Sequence, residues 1–349
     1  MSASRNASEV ENWLTQVWQS RSIAARLLWP LSLLFAALAA LRRALYLTHL
    51  LPSVRLPVPV VVIGNVVVGG TGKTPLVIWL VDALRQAGYA PGVISRGYGG
   101  RVAGADVIEV TAASNADRVG DEPLLIVHRA QCPVMVGRDR VAAGRALLAA
   151  HPATNVIVSD DGLQHYRLQR SVEIILFDER GGGNGWRLPA GPLRESMKRR
   201  RDITVLNGAE MPASLPTGTL RMQLIGDYAE ALSNRARRLR LRDLTGRIVA
   251  AAGIGNPQRF FSLLRNAGLS IETVALLDHQ IFSADIFAEV DADIILITEK
   301  DAVKCVAVES LKNDPRIWVV PVTAHIDAAL MDQIGNKLNL ENLRGYPTA

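Results

Sequence analysis

Seven consecutive residues, Gly69-Gly70-Thr71-Gly72-Lys73-Thr74-Pro75, set glycines, a lysine and a hydroxyl in an order suited to holding a polyphosphate. Glycines let backbone N–H groups close around phosphate oxygens, a lysine at position 73 reaches the β- and γ-phosphates, and Thr74 offers its hydroxyl to Mg²⁺. The run follows the apolar stretch Val58 to Ile63 and precedes the helix-like stretch Leu76 to Ala87, the strand, turn and helix order of a phosphate-binding loop (P-loop). Val68, Gly69, Gly70, Thr71, Gly72, Lys73, Thr74 and Pro75 are therefore expected to bind the triphosphate of ATP, with Mg²⁺ as its companion cation. The general pattern asks for glycine six residues before the lysine, where this chain has Val67, and Gly69-Gly70 is expected to make the tight turn instead.

Carboxylates come next. Asn155 to Ser159 reads as an apolar strand that ends in Asp160-Asp161-Gly162, the place where a P-loop enzyme keeps its metal-holding aspartate. His165, four residues beyond, could meet a substrate phosphate. Gly120-Asp121-Glu122-Pro123 reads as a helix start, with Asp121 as cap and Glu122 favoured by the helix dipole. The same Asp121 could accept the proton of an acceptor hydroxyl, as phosphoryl transfer needs. Glu122 is counted with Thr74, Asp160 and Asp161 among the metal candidates. Asp278-His279 could supply a base or a base's partner if two domains close over the nucleotide. Two glycine- and proline-rich loops, Ser95 to Gly100 and Asp178 to Glu195, carry arginines whose planar forks suit phosphate. Thr298-Glu299-Lys300-Asp301 approaches a guanine-reading pattern, but its lysine and aspartate are adjacent, so GTP is not indicated.

The elements that must position these groups follow from periodicity. Short apolar runs at Val58 to Ile63, Ala90 to Ile94, Val134 to Val136, Val156 to Val158, Ile174 to Phe177 and Ile203 to Leu206 read as strands. Helical patterns at Leu76 to Ala87, Asp121 to Arg129 and Arg138 to Ala150 separate several of them, which predicts an α/β fold with a doubly wound parallel sheet. Residues 56–215 would form this kinase core and 216–247 a strand-like linker, with the period-two stretch Arg238 to Arg242 as an exposed strand. Residues 248–349 would form a second, smaller α/β domain, with strands at Ile248 to Ile254, Ile294 to Thr298 and Ile317 to Val322 and helices at Pro257 to Ala267 and Ala302 to Lys312.

Residues 1–55 stand apart. From Leu27 to Leu41 the only polar residue is Ser32, and Arg26 and Arg42-Arg43 flank the block. As a helix this core is roughly 22 Å long, short of the roughly 30 Å of a bilayer interior, so it reads first as an amphipathic helix lying in a membrane interface with arginines toward anionic headgroups, with a buried core helix or a spanning helix as the alternatives. A signal peptide fits poorly, because a long segment precedes the apolar block and arginines follow it at once.

The chain has 349 residues, 49% of them hydrophobic, enough to bury a large core and more readily two domains than one. Two distant cysteines, Cys132 and Cys305, argue against a disulfide framework or structural zinc and fit a reducing compartment. The net charge of +6 would suit nucleic acid or an anionic membrane, but aromatics make up 5% and none interleave with the basic clusters, so nucleic acid is not indicated.

Taken together these segments resemble the tetraacyldisaccharide 4'-kinase family of lipid A synthesis. The resemblance rests on Gly64-Asn65 with the P-loop, Ser95 to Gly100, Gly120 to Pro123, Asp160 to His165, Leu188 to Glu195, Ala252 to Phe261, Asp278-His279 and Thr298 to Lys304. It implies transfer of the γ-phosphoryl group of ATP to the 4'-hydroxyl of an acylated glucosamine disaccharide phosphate at the cytosolic face of the inner membrane, with no obligate protein partner. By the same resemblance Asp121 is the base, paired with His279. Arg96, Tyr98, His165, Arg194 and Glu195 line the nucleotide and sugar-phosphate site, and the departure at Val67 is shared with the family. Gln280 stands where a further histidine is expected. The rival reading is a membrane-positioning P-loop ATPase switch. Such proteins carry a lysine where this chain has Val68, and attach through a C-terminal helix where this chain has the mostly polar stretch Asn339 to Ala349.

Overall fold

The structure, a computed structural model, describes residues 13–14, 16–97, 100, 106–276 and 282–343. Tyr98, Asp278, His279 and Gln280 lie outside the described residues.

Among the described residues fifteen strands form two sheets. The first contains β1 (Val60–Gly64), β2 (Pro91–Ser95), β3 (Val107–Val110), β4 (Val134–Gly137), β5 (Val156–Asp160), β6 (Val172–Asp178), β7 (Ile203–Asn207), β8 (Leu220–Ile225) and β15 (Thr323–Ile326). Their order is β15-β8-β7-β6-β1-β5-β2-β4-β3, parallel except at the two edges, where β3 runs against β4 and β15 against β8. β1, β2, β4, β5 and β7 are buried along their whole length. That is why they read as unbroken apolar runs: a parallel sheet with helices on both faces has no polar side. On one face pack α2 (Lys73–Gln86), α3 (Asp121–Ala130) and α7 (Ala329–Leu343), through Leu76, Leu80, Leu84, Ile126, Leu330 and Ile334. α4 (Arg140–Ala150) covers the other through Val141, Ala143 and Leu147.

The second sheet contains β9 (Tyr228–Ala231), β10 (Asn234–Arg240), β11 (Ile248–Ala252), β12 (Glu272–Ala275), β13 (Ile294–Thr298) and β14 (Ile317–Val320), in the order β10-β9-β14-β13-β11-β12. α5 (Pro257–Asn266) packs Phe260, Phe261 and Leu264 on one face, and α6 (Glu299–Cys305) packs Ala302 and Cys305 on the other.

Two boundaries differ from the sequence expectation. Residues 216–247 are not a linker: β8 completes the first sheet, while β9 and β10 belong to the second. The region 248–349 is not one domain either, since β15 pairs with β8 and α7 packs on the first core. β8 ends the parallel run with an open edge, and β15 satisfies its backbone groups. The expected helix Ala302 to Lys312 is two pieces, Glu299–Cys305 and Glu309–Lys312. Thr298 caps the first, accepting from the Asp301 N–H at 3.2 Å, and so moves the start three residues earlier.

The N-terminal helix α1 (Ile23–Leu47) is capped by Ser22 and spans 25 residues, longer than the apolar block Leu27 to Leu41. By length and composition it is apolar enough to cross a membrane. It touches the body along its length: Ala25 and Ser32 are buried, Trp29 meets Trp186 with ring centroids 6.3 Å apart, and Tyr46 meets Tyr166 at 5.9 Å. Leu27, Leu31, Leu34, Leu38 and Leu41 are exposed, a stripe at helical spacing.

Candidate active site

A parallel sheet delivers the ends of its strands to one edge, and here that edge carries the polar residues. β1 runs into the P-loop; β2 ends in Ser95, β5 in Asp160, β6 in Asp178 and β7 in Asn207. β1 is central and pairs with β5, with Ile63 opposite Asp160. This register sets the acidic strand end beside the loop, as the sequence spacing suggested.

The P-loop geometry explains Val67. Val67 is buried and makes an antiparallel bridge with Leu193, while Val68 N–H donates to Pro192 O at 2.9 Å and Arg194 N–H to Val66 O at 2.7 Å. This extended, side-chain-packed position suits a β-branched residue. The turn falls later, at Gly69 (φ 104°) and Gly72 (φ 93°), both in the left-handed region that glycine adopts without strain. Asn65 and Asn207 brace the loop, the first donating to Gly69 O at 3.2 Å and the second to Thr71 O at 2.9 Å. α2 begins at Lys73 with no side-chain cap, so its first N–H groups remain for a ligand.

A cavity of about 1620 Å³ opens over this edge. Val68 through Pro75 line it, together with Arg96, Glu122, Asp160, Asp161, Arg194 and Glu195. Its far walls come from the second domain, through Asn256, Arg259 and Lys300, and from α1, through Phe35, Leu38 and Arg42. Lys73 Nζ stands 3.6 Å from Asp161, and Arg194 Nη1 stands 3.3 Å from the same carboxylate. Burial would raise the Asp161 pKa, but those two cations hold it below the ordinary value. Asp160 is the opposite case. It is wholly buried, accepts from Ser95 Oγ at 3.1 Å through Oδ2, and has no hydrogen-bond partner at Oδ1. Burial, then the neighbouring Glu122 carboxylate, push its pKa up to about 7.

That orphaned oxygen tests the expected Mg²⁺. A hard cation takes oxygen ligands and uses few from the protein when a triphosphate supplies the rest. Asp160 Oδ1, Glu122 and Asp161 fit that need, with the Thr74 hydroxyl on the same wall. Among the described residues no three His, Cys, Asp or Glu side chains converge into a complete cage.

Asp121 is the first residue of α3 rather than its cap, which is Gly120. Its carboxylate is buried and stands behind the cavity wall formed by Glu122 and Lys300, with Lys300 Nζ at 3.9 Å and Lys304 Nζ at 3.8 Å. Glu122, one residue on, faces the cavity, with Lys300 Nζ at 3.2 Å.

Two expected substrate residues serve the framework. His165 does not line the cavity: its Nε2 accepts the Arg140 N–H at 3.3 Å beside Asp139, the cap of α4. Burial and the Arg140 charge lower its pKa to about 4, so it is neutral near pH 7. The unfolded chain, with an ordinary imidazole near 6.5, takes up the proton first. Stability carried by His165 is therefore full above about pH 6.5 and lost as the pH falls toward 4. Thermal unfolding at pH 7 and pH 5 should show a smaller drop in Tm for His165→Gln than for the parent chain; equal drops would contradict this. Glu195 borders the cavity but is buried and committed, accepting from Arg199 Nη1 at 2.7 Å and Gln164 Nε2 at 3.0 Å.

Sequence reasoning gave no role to Asn207, Arg259, Lys300 or Lys304, although the last three fall in segments that it marked. Asn207 carries no motif; only its place at the end of a buried strand signals it.

The fold and the site are those of an α/β phosphotransferase: a glycine-rich loop running into a helix and a buried carboxylate at one sheet edge, faced by a second domain. Residues 24–339 match the profile of the family described as tetraacyldisaccharide-1-P 4'-kinase, and the chain belongs to that family. It is thus a kinase with an alcohol as acceptor. It is 60% identical to a tetraacyldisaccharide 4'-kinase of Janthinobacterium sp. (strain Marseille), over 95% of this chain and 97% of that one. The corresponding protein of Herminiimonas arsenicoxydans is 55% identical over 98% of each. A crystal structure of LpxK from Aquifex aeolicus in complex with ATP superposes with a TM-score of 0.72 at 26% identity, covering 90% of this chain and all of that one.

Proposed function

We propose that this chain transfers the γ-phosphoryl group of ATP to the 4'-hydroxyl of a tetraacylated glucosamine disaccharide 1-phosphate, giving lipid IVA, at the cytoplasmic face of the bacterial inner membrane. The observation that carries this reading is the continuity of one cavity from Phe35 and Leu38 of the apolar helix to Lys73 and Thr74 of the P-loop. A lipid and a nucleotide can occupy its two ends at once.

In this scheme the P-loop N–H groups and Lys73 hold the triphosphate, and Thr74, Asp160, Asp161 and Glu122 hold Mg²⁺. When bound, the metal neutralises charge on the phosphates. Asp121 takes the proton of the acceptor hydroxyl, with His279 as its partner. Arg96, Tyr98 and Arg194 receive the sugar phosphate, and the arginine fork suits that contact. α1 lies on the bilayer with its leucine stripe inserted, since contacts from Ala25 to Tyr46 keep it along the body.

The reading is tested by the acceptor's acyl chains. Four buried methylenes supply about 3 kcal/mol, so a de-acylated disaccharide phosphate should show kcat/KM lower by about 10²-fold or more, and equal values would contradict it. Removing residues 1–51 should likewise weaken association with anionic vesicles, which co-sedimentation measures. Unchanged sedimentation would contradict an interfacial helix.

A further inference from the structure

We propose that Arg259 is an arginine finger in cis, a guanidinium that the second domain delivers to the triphosphate so that domain position controls phosphoryl transfer. The inference rests on the reading of the P-loop cavity as the ATP site.

Arg259 lies in the first turn of α5 and lines the cavity. Its Nη1 donates to Thr71 O of the P-loop at 3.3 Å, and its Nη2 stands 3.2 Å from Asp178 Oδ2 at the end of β6. The Asp178 carboxylate does not need it. Arg180 already grips both oxygens, through Nε at 3.1 and 2.9 Å and Nη2 at 2.7 Å. Glu179, also in the wall, accepts the Ala209 N–H at 2.9 Å and adds a second carboxylate to the surroundings of Arg259. Arg259 and Arg180 share one buried carboxylate beside the loop that also holds Lys73, so Arg259 can turn from Asp178 to an anion while Arg180 keeps that carboxylate paired.

The placement is built in. The turn before α5 reaches the P-loop itself: a Cβ on Gly70 would lie 3.5 Å from the backbone of Gly255. That turn is pinned from beneath, since Gly253 N–H donates to the buried Asp301 at 3.0 Å. Arg194, another arginine of the cavity lining, lies on Asp161 and comes from the loop that packs against α1, which suits a substrate contact. Arg259 alone joins the second domain to the P-loop backbone by a charged side chain among the described contacts. Phosphoryl transfer spreads negative charge over the γ-oxygens and the leaving oxygen, and P-loop enzymes gain from a second cation there in addition to their lysine. Here that cation arrives only when the second domain is seated.

The test uses the full chain in detergent with γ-labelled ATP and the acylated disaccharide phosphate. Arg259→Ala should lower kcat by about 10³-fold, with KM for the lipid within about twofold and Tm unchanged, and added guanidinium ion should restore part of the rate. Arg259→Lys, which keeps charge without the fork, should stay well below the parent chain. An undiminished kcat in both variants would overturn the proposal, as would a loss confined to KM for ATP, which marks ground-state binding. A fall in rate matched by a fall in Tm, with no guanidinium rescue, would assign Arg259 to structure and overturn it as well. Parent chain assayed alongside separates the underlying reading: no label in lipid from that chain contradicts the acceptor, independently of the variants.

Discussion

Lys73→Ala is expected to lower turnover by about 10³-fold or more while leaving the fold intact. Lys73 is the first residue of α2 and the P-loop cation nearest the acidic strand end, 3.6 Å from Asp161. In the proposed scheme its ammonium follows the charge that moves onto the β/γ bridge, a place that no other cation takes among the described residues. Stability should hold because Asp161 keeps Arg194 at 3.3 Å when the lysine is gone. Steady-state kinetics with thermal unfolding on one preparation checks both halves. Turnover within tenfold of the parent chain would remove Lys73 from the mechanism.

Asp121→Asn is expected to lower kcat by about 10²- to 10⁴-fold, the range for loss of a general base, with affinity for ATP retained. Asn keeps the shape and the acceptor oxygen at the start of α3 but cannot take a proton. Lys300 and Lys304 then face a neutral group, so a modest fall in Tm should accompany the kinetic loss. Glu122 is the competing carboxylate, because it faces the cavity and Asp121 does not. Full activity in Asp121→Asn together with loss in Glu122→Gln would exchange the two roles.

What could be read in the sequence was the chemistry that follows chain order. The P-loop and Asp160-Asp161 lie at the ends of strands whose apolar runs are plain, and a parallel sheet gathers such ends at one edge whatever the strand order. Pairings between distant segments were not legible. Nothing in Thr323–Ile326 says that it returns to β8, and the short alternating pattern of Leu220–Ile225 does not say which sheet it joins. His165 looked like a ligand because of its nearness to Asp161; its actual partner, the Arg140 N–H, belongs to a helix met through the fold alone. Glu195 was marked by an arginine-bearing loop, yet its partner Arg199 lies one turn beyond it. Arg259 was hidden for the same reason, since its chemistry exists only where the second domain meets the first.

The most direct measurement supplies γ-labelled ATP and the tetraacylated disaccharide 1-phosphate to the detergent-solubilised chain and follows the label. Label in the lipid, at the 4'-oxygen of the disaccharide, is the outcome that phosphoryl transfer requires. Label released only as inorganic phosphate would contradict it and mark the chain as an ATPase.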